Sequence, residues 1–109
     1  MAQNQETKIQ NDIRVELSKA GIVVRNNVGR FYTTTGYPIA VGVPGMADLT
    51  LFAEGGKTIF VEVKTPTGKL SDQQKRFKKA VERLGFEYIV MRSKEEATAL
   101  CEHLKKSNS

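Results

Sequence analysis

Glu62 and Lys64 stand two positions apart in the run Ile59-Phe60-Val61-Glu62-Val63-Lys64, whose β-branched and aromatic residues favour a strand. A strand alternates its faces, so Phe60, Glu62 and Lys64 share one side while Ile59, Val61 and Val63 share the other. One side is apolar and the other carries a carboxylate beside an ammonium. On its own that spacing reads more simply as a solvated face. A second acid changes what the pair can do. Asp48 opens the preceding run Asp48-Leu49-Thr50-Leu51-Phe52, and Glu54-Gly55-Gly56-Lys57 turns that run back as an antiparallel hairpin. A two-residue turn at Gly55-Gly56 sets Asp48 opposite Val63, on the surface away from Glu62. A three-residue loop at Glu54-Gly55-Gly56 sets it directly across from Glu62, with Gly56 free to turn left-handed. Two carboxylates that close repel each other without a cation, so the second register makes the pair a place for a hard, oxygen-seeking ion.

The elements that must position these residues follow from periodicity. Ile9, Ile13 and Leu17 recur every four from about Gln5 to Ala20, an amphipathic helix ending at Gly21, with Glu6 and Gln10 bordering the apolar stripe. Glu6 either complements the helix dipole or faces inward. Gly21 to Arg25 reads as a short strand closed by the turn Asn26-Asn27-Val28-Gly29. Arg30 to Thr35 and Tyr37 to Val43 could pair loosely, but the stretch is rich in Gly and Thr and holds Pro38, with Pro44 following, so irregular strand or loop is expected; its cluster Phe31, Tyr32, Tyr37, Ile39 and Val41 is either core cover or a subunit contact. Ser71 and Gln74 form a capping box for a helix whose core face is Phe77, Ala80, Val81 and Leu84 and whose other faces carry Lys75, Arg76, Lys78, Lys79 and Arg83. Phe86 to Met91 is a strand reached through that helix, so it runs parallel to the Glu62 strand. Ser93 and Glu96 cap a last helix lined by Ala97, Leu100, Cys101 and Leu104. The expected fold is α/β: a small mixed sheet, antiparallel hairpin plus a parallel strand through a helix crossover, flanked by helices.

The chain of 109 residues, 39% hydrophobic and 27% charged, is expected to be one domain spanning 1–109, with residues 1–4 and 106–109 frayed. No apolar run approaches a membrane span, and the first residues lack a secretory pattern. A lone cysteine, Cys101, excludes an internal disulfide and a thiolate metal cage, and His103 has no second ligand at metal spacing. These features point to an intracellular, cytoplasmic setting. A net charge of +5 favours an anionic partner such as a phosphate backbone.

In order, the chain offers an acid on a helix, Gly45-Met46-Ala47-Asp48 opening a strand, Glu62-Val63-Lys64 on the next, and Ser71-Asp72-Gln73-Gln74 starting a basic helix. This series, from Gln5 to about Glu96, resembles the PD-(D/E)XK nucleases, most closely their virus-type replication-repair nuclease (VRR-NUC) branch. Ala47 stands where that family often has proline before its metal-binding Asp, and Gly45 sits at a shifted offset. The proline shapes the strand start and donates no ligand, so its absence weakens the likeness more than the chemistry.

The resemblance implies a restriction-endonuclease-like fold and a bacterial or phage setting. It also implies a Mg²⁺ site, with Mn²⁺ as a substitute, built from Asp48, Glu62 and the backbone carbonyl of Val63, with Glu6 completing or supporting the shell. Lys64 would orient the attacking water or stabilise developing charge, and Gln74 would position Lys64 or the water. Arg25, Arg30, Lys69, Lys75, Lys78, Lys79 and Arg83 are the candidate phosphate contacts. No sequence-reading helix for the major groove is evident. The expected activity is therefore structure-selective DNA cleavage, on branched DNA such as Holliday junctions, by a homodimer. A sequence-specific restriction-type endonuclease and a catalytically inactive nucleic-acid-binding module are the alternatives.

Overall fold

Alternation along two neighbouring strands decides which way the sheet faces. Leu49, Leu51, Ile59, Val61 and Val63 are fully buried on one side, where helices lie over them. The structure, a computed structural model, describes residues 4–27 and 29–107, with the backbone alone at residues 29 and 30. The elements are α1 (Gln5–Leu17), β1 (Gly21–Arg25), β2 (Gly29–Tyr32), β3 (Pro38–Val41), β4 (Leu49–Ala53), β5 (Lys57–Val63), α2 (Asp72–Arg83), β6 (Glu87–Met91) and α3 (Lys94–Ser107). The main sheet has the order β1-β4-β5-β6, antiparallel except for the β5–β6 pair, which is parallel through α2. Ile13 and Leu17 of α1 and Ala97, Cys101 and Leu104 of α3 close the main core against β4, β5 and β6. On the opposite side α2 covers only the β5–β6 half, where Val81 and Phe77 pack with Phe60, Tyr88 and Ala47. The outer face of β1 and β4 is bare: Ile22, Val24 and Phe52 are exposed there.

Several local expectations change. The first helix stops at Leu17, with Ser18 as its cap, and Gly21 opens β1 instead of ending the helix. A Cβ at Gly21 would lie 2.0 Å from the Phe52 carbonyl oxygen, so the close β1–β4 approach requires the glycine. Asn4, expected to fray, caps α1 by accepting the Thr7 N–H at 2.7 Å. Lys106 and Ser107, also expected to fray, continue α3, and the Ser107 hydroxyl donates to the His103 carbonyl. Residues 1–3 and 108–109 lie outside the described residues. Leu84 is 73% exposed as the cap of α2, and Ala80 is exposed too, so only Val81 and Phe77 of the expected face turn inward.

The stretch expected to be irregular forms a separate two-stranded hairpin, β2–β3, with Pro38 at a strand start where no ladder N–H is lost. Phe31, Tyr32, Tyr37 and Ile39 are all exposed on it, which excludes the core-cover alternative.

Candidate active site

The β4–β5 register decides whether the acids meet. Ala53 pairs with Lys57 across the three residues Glu54-Gly55-Gly56, and Gly55 and Gly56 both have positive φ, 80° and 74°. Leu49 pairs with Val61, and the same register continued by one residue sets Asp48 opposite Glu62. Asp48 Oδ2 accepts the Val63 N–H at 2.8 Å, which ties the acid to the neighbouring strand.

Three further contacts fix the start of β4. The Asn26 N–H donates to the Asp48 carbonyl at 2.8 Å. The Asn26 side-chain amide donates to the Ala47 carbonyl at 3.0 Å and to Thr50 Oγ1 at 2.8 Å. Gly45 (φ +81°) lays bare backbone on the first turn of α2, where a Cβ would come within 2.2 Å of the Gln73 carbonyl oxygen. Gly45 thus seats the loop that delivers Asp48, and Asn26 straps it.

Glu62 is 2% exposed. Its Oε2 accepts from Gln74 Nε2 at 3.0 Å and lies 3.7 Å from the Lys64 ammonium, while its Oε1 is buried without a partner. Burial first, and the charge of Asp48 second, push the Glu62 carboxyl up to about 8, against the opposing pull of Lys64. The other buried acid, Glu16, behaves oppositely: Lys19 and Thr98 reach its two oxygens at 3.0 Å, and those bonds lower its pKa. An acid held for packing is satisfied; Glu62 is left short of one partner. Tyr88 adds a second unpartnered buried hydroxyl, its pKa raised by burial and then by Glu62 and Asp48.

Gln74 serves two purposes. Its Oε1 accepts the Ser71 N–H at 2.8 Å, completing the capping box of α2, while its Nε2 holds Glu62. Its side-chain partner here is Glu62, whereas the resemblance implies Lys64 or the attacking water. Glu6 is not brought to the pair. It is exposed in the first turn of α1, and among the described residues no three of Asp, Glu, His and Cys gather as a metal cluster. Gln10, one turn on from Glu6, lines a cleft of about 390 Å³ with Asp48, Arg25, Asn26 and Phe31. The centre holds two opposed carboxylates, one orphaned oxygen and the Lys64 ammonium 3.7 Å from Glu62. This donor set fits a hard divalent ion.

Of the candidate phosphate contacts, Arg25 stands in the cleft with Asp48. Lys79 and Arg83 share a groove on α2 with Arg76, which sequence reasoning left aside although its spacing of three and seven puts it on their face. Lys78 faces Glu82 at 3.9 Å; Lys69 and Lys75 are exposed, and the side chain of Arg30 lies outside the described residues. Asn26 carried no signal beyond a turn, because its role depends on the long-range pairing of β1 with β4.

A mixed sheet that presents Asp48, Glu62 and Lys64 from adjoining strands, steadied by a helix glutamine, is the arrangement of the PD-(D/E)XK nuclease class. Within it, the model of the VRR-NUC domain matches residues 38–95, more than half of the chain. The protein belongs to the VRR-NUC domain family, a family of nucleases acting on DNA. A solved structure described as a VRR_NUC domain superposes with a TM-score of 0.68 at 21% identity, covering 93% of this chain and 98% of that one. A comparison with curated protein sequences gives no match. Among the described residues, no helix is long and apolar enough to cross a membrane.

Proposed function

We propose that this VRR-NUC domain is a divalent-metal-dependent endonuclease that hydrolyses phosphodiester bonds in DNA selected by its structure, branched DNA such as four-way junctions above all. The observation that carries the reading is the buried, half-partnered Glu62 carboxylate set against Asp48 and 3.7 Å from the Lys64 ammonium. Asp48, Glu62 and the Val63 carbonyl would hold the ion, and Mg²⁺ or Mn²⁺ there would supply positive charge beside the phosphoryl group and make the attacking water more acidic. Lys64 offers a hydrogen bond to the attacking water or to the charge that develops on the phosphoryl oxygens. Gln74 fixes the Glu62 carboxyl through its Nε2 bond to Oε2, and Arg25 beside the cleft takes a flanking phosphate. The basic groove of Arg76, Lys79 and Arg83 extends the backbone contact.

Symmetric cutting of two strands needs two sites related by a two-fold axis, and the chain acts as a homodimer. Support comes from the bare face of β1 and β4. There Val24, Phe52, Phe60 and Phe86 line an apolar groove of about 440 Å³ that also reaches Met46 and Asn26 beside the cleft.

The test is cleavage of labelled four-way junction, flap and plain duplex DNA by the native chain and by Asp48→Ala, with Mg²⁺ and without. Junction cleavage that needs both Mg²⁺ and Asp48 supports the reading. Cutting of plain duplex at a fixed sequence would replace it with a restriction-type endonuclease. Binding without cleavage would replace it with an inactive nucleic-acid-binding module.

A further inference from the structure

The loop that leaves β5 after Lys64 is held by one side chain from the neighbouring strand. Arg92, the first residue beyond β6, donates from Nη1 to the carbonyl oxygens of Thr65 and Gly68, each at 2.7 Å, with the Pro66 carbonyl at 3.5 Å. Charge-assisted bonds of this length are the strong ones. The Gly68 N–H closes the turn on the Thr65 carbonyl at 3.1 Å. Arg92 is itself fixed: its N–H donates to Glu96 Oε1 at 3.2 Å, and the residue before it, Met91, accepts the Lys64 N–H at 3.0 Å in the last rung of the parallel ladder.

The clamped loop lies against the stem of Lys64. A Cβ built at Gly68 would sit 3.5 Å from both Cβ and Cδ of Lys64, so the loop backbone walls the aliphatic chain on that side. A lysine with four rotatable bonds does not hold its ammonium in place unaided, yet this side chain is only 14% exposed and its Nζ stays 3.7 Å from Glu62. We infer that Arg92 is a positioning residue for Lys64. By gathering the carbonyls of residues 65–68 it presses the loop onto the lysine stem and aims the ammonium at the acid pair. The inference rests on the assignment of Lys64 as the ammonium that serves the reaction.

Arg92→Met, Arg92→Lys and Gly68→Val test it with two readouts. The first is the ¹⁵N resonance of the Lys64 ammonium, identified by its loss in Lys64→Ala. The second is kcat and KM for DNA cleavage. In the native chain the Lys64 signal is expected to stand apart from those of exposed lysines. In Arg92→Met it is expected to move into their range, while kcat falls roughly 10-fold to 100-fold and KM and Mn²⁺ affinity stay within about 2-fold; Arg92→Lys restores part of both. Gly68→Val, with Arg92 intact, is expected to disturb the same resonance by crowding the stem, and it decides the matter should Arg92→Met fail to fold. An unmoved Lys64 resonance in a folded Arg92→Met or Gly68→Val chain overturns the inference. If the native chain cuts no DNA, the nuclease reading falls, while the resonance still decides whether Arg92 aims Lys64.

Discussion

Glu62 concentrates the chemistry of the molecule at one carboxyl. Folding removes it from water, sets a second acid against it and leaves one oxygen unpartnered, so its pKa rises from 4.5 to about 8. Between those values the folded chain keeps a proton that the unfolded chain releases, so metal-free stability falls as pH rises through this window. Glu62→Gln removes that dependence. In chelator its melting temperature is expected to equal that of the native chain near pH 5 and to exceed it at pH 8, by a margin that grows with pH; parallel pH profiles for the two would contradict the account. Lys64 has a separate task. Lys64→Ala is expected to bind Mn²⁺ within a few-fold of the native affinity while single-turnover cleavage falls on the order of 10²-fold or more, and retained cleavage would remove the lysine from the mechanism.

Asp48 and Glu62 reach each other because three elements are pinned where they meet. Gly45 rests on the first turn of α2, Asn26 straps the start of β4, and Gln74 caps α2 while holding Glu62. Gly45→Ala violates both the positive φ and the contact with the Gln73 carbonyl. It is expected to cost more than the roughly 1 kcal/mol of a simple left-handed penalty, read by denaturant unfolding, and to lower cleavage by parting Asp48 from Glu62; an unchanged midpoint would show that the loop does not bear on α2. Much of this arrangement is legible in the residues. The Glu54-Gly55-Gly56 loop admits a left-handed three-residue turn, which carries Asp48 to Glu62, and Ser71 with Gln74 announces the start of α2. What is not legible depends on contacts far apart in sequence. Nothing local says that Asn26 meets Ala47 and Thr50, or that Arg92 meets Thr65 and Gly68. Leu84 fits a helical stripe, yet it falls at the C-cap, just before the chain turns at Gly85 (φ 97°).

Across the whole molecule, the two sides of the sheet have different fates. One is sealed by α1 and α3; the other is covered by α2 over β5 and β6 and left open over β1 and β4, where Ile22 is 69% and Phe52 47% exposed. A bare apolar sheet face beside the cleft of Asp48 and Arg25 is the surface a second copy would cover in the proposed dimer. The native chain is expected to sediment at twice its 12.1 kDa mass and Phe52→Glu at the single-chain mass without loss of folding, because Phe52 supports no internal packing that its exposure would not already forgo. A native monomer, or a dimer indifferent to Phe52→Glu, would move the interface elsewhere.

The claim under all of this is that Asp48 and Glu62 close on a divalent cation. Thermal unfolding in increasing Mn²⁺, for the native chain and for Asp48→Ala, tests it most directly. An ion that binds only the folded state adds about 2.7 kcal/mol at one hundred times its Kd, so the native melting temperature should climb by several degrees while that of Asp48→Ala stays flat. A native chain indifferent to Mn²⁺, or a variant that responds equally, would contradict it.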